Sequence, residues 1–463
     1  MSSTHSRRPV AIVGGTILDP SSRSEPFTGS VLIGIDGAIT AVGADIIIPA
    51  GADVIDAVGA LILPGFVDAH RHAWMPAIRT LNGDMTLHGY VRTTRNIVMP
   101  HYTPDDIYVG NLVGYWDALD AGVTSMVDFS HCLNSPDHVR AAATALRQVP
   151  IRAQFAVGLN DVPTKVGGFQ SLQDRIDNFQ GLLADSDFPD RARLWMSLSD
   201  VTQAGTQRLL DEVRAVRDVG VPMTLHARTK TLRTPISEVH ALAGAGLLGD
   251  DLLWAHLSSA DISELQLVAD SGGRFVALPE DELQMGMGLP KIREWDSIGG
   301  RPSLGISVVS AASGDLFGAM RLALQTARAL EHEEEIARTG TWPESVRLTA
   351  RDAVLWATAN GAHAAMMESA TGSLEVGKRG DVIVIRPGIF AQPVINPWST
   401  VVVQSNRSDV RDVVVDGIVV KRDGKLSVDL DMLARELAAS SDRIMRAVSA
   451  SGGLSQGSVS LPT

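Results

Sequence analysis

Cysteine is nearly missing from this chain of 463 residues, with Cys132 the only one. No internal disulfide can form, and a reducing cytoplasm is the expected compartment. Long apolar runs are missing too. None reaches the ~18 residues that a membrane helix needs, and no apolar segment of a signal peptide follows the opening MSSTHSRRP. Basic excess is missing: 40 Lys and Arg stand against 53 Asp and Glu, a formal net charge of -13. Nucleic acids and anionic membranes, which need a basic face, are therefore not expected as partners. Gly14-Gly15 and the other glycine pairs fit neither GxGxxG nor a P-loop, so no nucleotide site is read there. What is present, 45% hydrophobic and 20% charged residues, is ordinary for a soluble α/β protein with a large core.

Both ends are rich in short strand patterns. PVAIVGGTILDP, SVLIGIDGAITAVG and ADVIDAVG near the start, and GSLEVGKRGDVIVIRP and VVVQSNRSDVRDVVVDGIVVKRDGKL near the end, are apolar or alternating strand runs. Asp36-Gly37 and Asp416-Gly417 predict hairpin turns. Two strand-rich ends around a long middle predict one small β-domain made from both termini. In the middle, strand-like and helix-like segments alternate about eight times, the pattern of a (β/α)8 barrel. Its strands are expected at 61–67, 123–129, 152–159, 193–198, 222–226, 252–257, 274–279 and 303–309. The domains are then 1–58 with 366–463, including a C-terminal helix over 429–448, and 59–365 for the barrel. Residues 75–105 are too long for a plain connection and predict a lid or pocket wall. The last dozen residues, rich in Ser and Gly, are expected to be loose.

Barrel sites lie at the C-terminal strand ends. The first strand runs into Asp68-Ala69-His70-Arg71-His72, where alternation puts His70 and His72 on one face, spaced to share a metal ion. The fifth strand ends in His226 and the sixth in His256. Three separate strands thus bring four histidines to one rim.

PGFVDAHRH at 64–72 resembles the opening strand of the amidohydrolase superfamily, and GSLEVGKRGDVIVI resembles its usual entry into the second half of a composite β-sandwich. The resemblance covers nearly the whole chain. It implies a (β/α)8 TIM barrel with that sandwich, and hydrolysis of a C–N bond in a small cyclic or heteroaromatic compound. It also implies one divalent metal held by His70, His72 and His226, with His256 polarising the substrate. Zinc is the first expectation, iron and manganese remain open, and so does absence of metal. A homo-oligomer, ordinarily a dimer, is expected.

Two acids of that pattern are replaced. Ser307 stands where a strand-8 aspartate belongs, and Thr229 where His-x-x-Glu places its glutamate. Strand 4 carries no lysine for a carbamate-bridged two-metal site. Arg228 adds positive charge that suits an anionic substrate. Three explanations stand. In the first, other acids compensate: PEDELQMGMGLP resembles the PExExQMGxGxP of a branch related to chlorohydrolases and deaminases. Glu280 is then the preferred proton carrier, with Asp281 and Glu282 just beyond. In the second, three histidines hold metal with an exchangeable fourth position. In the third, the pocket runs a lyase, decarboxylase, cyclase or C–C cleavage reaction without metal, with Arg228 binding a carboxylate, or binds without turnover. His88 and His131 are secondary candidates, His101 belongs to a loop before a helix start at Thr103, and Trp74 and Met75 read as packing. Met285 and Met287 are candidate pocket lining, and Cys132 reads as a buried bystander.

Overall fold

The computed structural model describes residues 8–160, 168–185, 187–229 and 237–452. The Ser/Gly-rich end beyond 452 and the first seven residues lie outside the described residues. Five strands open the chain: β1 (Val10–Ile17), β2 (Phe27–Ile33), β3 (Ile39–Gly43), β4 (Asp53–Asp56) and β5 (Leu61–Pro64). A parallel run follows: β6 (Phe66–Arg71), β7 (Val123–Ser130), β8 (Arg152–Gly158), β9 (Ala192–Ser197), β10 (Met223–Ala227), β11 (Leu252–His256) and β12 (Arg274–Val276). These seven pair in chain order. The eighth stave makes no regular ladder; single bridges Ala277–Leu304 and Arg71–Ser307 close the ring. The last strands, β13 (Val382–Ile385), β14 (Val410–Val415), β15 (Ile418–Arg422) and β16 (Lys425–Leu426), return to the first sheet.

That sheet runs β16-β15-β14-β13-β5-β1-β2-β3, with β4 on β1, so both ends of the chain build it. It curls over one apolar cluster. Val31 and Ile33 on β2, and Val382 and Val384 on β13, are alternate residues that all point into it. Asp36-Gly37 and Asp416-Gly417 turn the β2–β3 and β14–β15 hairpins as their sequences demand. Gly37 has a φ of +83°, and a Cβ there would lie 2.4 Å from the Asp416 carbonyl oxygen, so the two turns meet only because one lacks a side chain. The fold is thus a (β/α)8 barrel joined to a composite β-sandwich.

The first expected strand, 61–67, is two strands. Leu61–Pro64 belongs to the sandwich sheet and Phe66 onward to the barrel. Gly65 is the crossing point: a Cβ there would sit 2.0 Å from Thr124 Oγ1, so only glycine lets the chain pass. A second local device aims the histidines. Val67 and Ala69 face the barrel interior with Val127, Ala156 and Ala255. Between Asp68 and Arg71 the register with β7 shifts, three residues of β6 matching two of β7. This bulge changes the parity, so His70 and His72 face inward above Ala69.

Residues 75–101 form short helical turns over the barrel mouth, including a π-helical stretch Val91–Val98. Thr103 then caps the helix Pro104–Asp120 with a reciprocal capping box, as its sequence predicts. The C-terminal helix Leu430–Ala450 packs on that helix through Leu433, Ile444 and Val448, and Ser440 Oγ donates to Asp106 at 2.5 Å. No helix of the described residues is long and apolar enough to cross a membrane.

Candidate active site

The rim histidines converge. His70 Nε2 and His226 Nε2 lie 3.2 Å apart, and ligand atoms of His70, His72 and His226 are all within 4.8 Å of one another. Two imidazoles on one tetrahedral zinc ion put their nitrogens about 3.3 Å apart, from Zn–N bonds of about 2.0–2.1 Å. Ring orientations are fixed from behind. His72 Nδ1 meets the Phe129 carbonyl at 2.7 Å and His226 Nδ1 meets Asp200 Oδ1 at 2.8 Å, so each Nδ1 donates and each Nε2 keeps its lone pair. Phe129 stacks on His226 with centroids 4.2 Å apart. Burial, then the neighbouring imidazoles, hold His70 well below the usual histidine range, and burial also lowers His72 and His226. Neutral, preoriented imidazoles are what a divalent metal requires, so this donor set fits one.

Carboxylates support the cluster. Asp200 also meets Arg95 at 2.5 Å; burial alone would raise its pKa, but Arg95 and His226 hold it well below the carboxylate range. Asp68 accepts the amides of His70 at 3.3 Å and Ile306 at 3.1 Å, tying the HxH strand to the eighth stave. Asp128 accepts the Ala73 amide at 3.2 Å and the Tyr115 hydroxyl at 2.8 Å. Burial pushes these two carboxyls up to about 6 and about 7. His256 faces the cavity with Nδ1 3.3 Å from the buried Glu282.

A cavity of about 210 Å³ lies over the cluster, walled on the lid side by Leu87, His88, Tyr90 and Val91 and opposite by Met285 and Met287. Arg95, Asp200, Glu238, Asp281, Thr229 and Ser307 join His72, His226 and His256 in its polar lining. His131 is buried, 4.2 Å between ring centroids from His72, but is not part of the wall. Trp74 and Met75 are fully buried packing, and Cys132 is buried against the Met99 carbonyl. His101 sits at the surface beside Ser451.

Two expected residues are elsewhere. Glu280 does not reach the rim. A helical turn, Pro279–Gln284, begins directly after the strand, and at about 100° per residue it turns Glu280 outward, where it accepts Ser313 N and Oγ, both at 2.7 Å. Its neighbour Asp281 takes the inward position. Arg228 also points away: with φ +53° it reaches Glu264 and the Ser259 carbonyl, each at 3.1 Å. Its charge is spent on a buried carboxylate and does not line the cavity. Asp200, Arg95, Glu238 and the inward role of Asp281 were not found by sequence reasoning.

A family model described as the amidohydrolase family matches residues 61–420. The chain belongs to the amidohydrolase family. As a member it is a hydrolase of the class that acts on C–N bonds. It is 28% identical over 446 residues to a 5-methylthioadenosine/S-adenosylhomocysteine deaminase of Halobacterium salinarum, covering 92% of this chain and 96% of that one. The Haloarcula marismortui protein of the same name is likewise 28% identical, over 92% and 96% of the two chains. In fold the family member resembles a zinc-bound adenosine deaminase from Xanthomonas campestris, with TM-score 0.79, 20% identity and 94% and 98% coverage. It also resembles a zinc-complexed atrazine chlorohydrolase from Arthrobacter aurescens, with TM-score 0.80, 20% identity and 93% and 100% coverage.

Proposed function

We propose that this protein is a zinc-dependent deaminase that hydrolyses the exocyclic C–N bond of an amino-substituted, purine-like heterocycle. The observation that carries the reading is the convergence of three neutral imidazoles, with His72 and His226 fixed from behind by a carbonyl and a carboxylate, under a largely apolar cavity. His70, His72 and His226 hold the ion. A divalent ion bound there supplies Lewis-acid activation of water. His256, backed by Glu282, hydrogen-bonds the oxygen that develops at the attacked carbon. Leu87, Val91, Met285 and Met287 hold the apolar faces of the ring and exclude bulk water. The names of the relatives favour hydrolysis over elimination or C–C cleavage, and the engagement of Arg228 by Glu264 removes the carboxylate-binding group on which those alternatives rest. The setting is cytoplasmic, in keeping with one buried, unpaired cysteine, and the working form is a homodimer.

The test is ammonia release from 5′-methylthioadenosine and adenosine by zinc-loaded protein, by chelated protein and by a His70→Ala variant. Turnover that needs both zinc and His70 is expected. No ammonia from fully zinc-loaded protein with either compound would sink the substrate assignment. Turnover untouched by chelation and by His70→Ala would sink the metal assignment.

A further inference from the structure

Ser307 has the place of the aspartate that strand 8 lacks, and a serine hydroxyl is a poor base by itself. Its surroundings supply what it lacks. Asp281, on the inward side of the turn after β12, is 1% exposed and lines the cavity together with Ser307 and Val308. Its Oδ2 accepts the Val308 amide at 3.3 Å, while Oδ1 is buried with no protein partner. The Ser307 side chain lies against this carboxyl. The other acids of the wall are engaged. Asp200 is shared by His226 and Arg95, and Glu238 accepts the amides of Arg228 and of its own helix start.

We infer that Asp281, acting through the Ser307 hydroxyl, is the proton carrier of the reaction, replacing from strand 7 an acid that strand 8 does not provide. The inference rests on the deaminase reading above. Burial pushes the Asp281 carboxyl well above the usual range, against the opposing effect of Ser307, and so favours its protonated form. The carboxyl proton moves to Ser307 Oγ as the Ser307 proton moves to the ring nitrogen beside the attacked carbon. Water adds its hydroxyl to that carbon and returns its proton to Asp281 by the same route. The new hydroxyl then loses its proton to the amino group, the C–N bond breaks, and ammonia leaves. The ring nitrogen keeps its hydrogen, and Asp281 and Ser307 end as they began.

The experiment compares wild type, Asp281→Asn, Ser307→Ala, Glu238→Gln and the double variant Asp281→Asn with Ser307→Asp. Readouts are kcat and KM for 5′-methylthioadenosine, zinc per chain, and calorimetric affinity for the deaminated product. Asp281→Asn should lower kcat by about 10²–10⁴-fold, with KM, product affinity and zinc content within about threefold of wild type. The double variant should recover at least about tenfold of that loss, which a purely structural role for Asp281 would not allow. Should Asp281→Asn fold poorly, Ser307→Ala carries the test, with a kcat loss of at least about tenfold expected. Unchanged kcat in Asp281→Asn or Ser307→Ala, or a kcat collapse in Glu238→Gln alone, overturns the assignment while the deaminase reading stands. No turnover by zinc-loaded wild type overturns both.

Discussion

Asp200 holds His226 at 2.8 Å and Arg95 at 2.5 Å, so an Asp200→Asn substitution keeps the shape of the site and removes one charge. In the wild type this carboxylate stays ionised because Arg95 and His226 outweigh the cost of burying it. Its charge draws density onto His226 Nε2 and locks the tautomer that faces His70. An asparagine retains one acceptor but neither the charge nor a unique orientation. Loss of such a partner costs about 10–100-fold in metal affinity, which is about 1.4–2.7 kcal/mol. A second effect accompanies it, because the Asp200–Arg95 pair, with side chains 16% and 5% exposed, loses its Coulomb attraction. Breaking a buried pair costs up to about 3–5 kcal/mol, and the retained hydrogen bond brings the expected value to the lower part of that range. Zinc competition against a chromophoric chelator measures the first effect and denaturant unfolding of metal-free protein measures the second. His226→Ala is the reference for complete loss of one ligand. Zinc affinity within about twofold of wild type in Asp200→Asn, beside a clear fall in His226→Ala, would refute the claim that the carboxylate orients the ligand.

Glu280→Gln should leave kcat and zinc content unchanged and cost about 1 kcal/mol of stability from weakened Ser313 bonds; a tenfold fall in kcat with zinc retained would return Glu280 to the site. Arg228→Gln should lower the melting temperature by weakening its pair with the buried Glu264, and should leave the ratio of KM for S-adenosylhomocysteine to KM for 5′-methylthioadenosine unchanged. A selective rise in KM for the compound with the carboxylate would contradict that. Asp128, whose folded pKa is about 7 against 3.8 in the open chain, stabilises most below the lower value and loses that contribution as pH rises through the higher one. From pH 4 to pH 8 the wild type should lose up to about 4 kcal/mol relative to Asp128→Asn, read by urea unfolding at each pH. Parallel stability profiles would show that the carboxyl is not held protonated.

The fold was legible because its signals are local and repeated. The apolar runs of barrel strands 2 to 7, the Asp-Gly hairpins and the Thr103 capping box each name their own structure. What failed depends on contacts distant in sequence. The run 61–67 carries no mark of its division between two sheets, since Gly65 is required by Thr124, nearly sixty positions on. VVVQ at 401–404 reads as a strand but forms a helical turn started by Pro397, because its valines pack on the long helix Leu316–Thr339. In the site, the three ligand candidates and His256 follow from strand ends. Asp200 does not, because it lies past the end of strand 4, just beyond Ser199, where an acid looks like any loop residue. Glu280 and Asp281 were equally available as sequence. Only the point at which strand gives way to helix decides which one faces in.

That dependence on turn geometry recurs around the rim and bears on whether the site is maintained. Arg228, His256, Leu257 and Ser307 all have φ between +47° and +76°, a region that side chains with a Cβ avoid. Residues held there cost of order 1–3 kcal/mol each, and they persist only where the surroundings fix them. They are fixed here: Leu257 N donates to Ala227 O at 3.0 Å, Ser259 N to Arg228 O at 2.8 Å, and Ser307 N to His70 O at 2.9 Å. Each bond ties one strand end to a neighbour that bears a histidine or the Ser307 hydroxyl. A barrel that had kept its histidines only as packing would have no reason to hold this ring of strained corners. Their concentration at the mouth, together with an unpartnered Asp281 oxygen beneath Ser307, points to a rebuilt site and not to a decayed one.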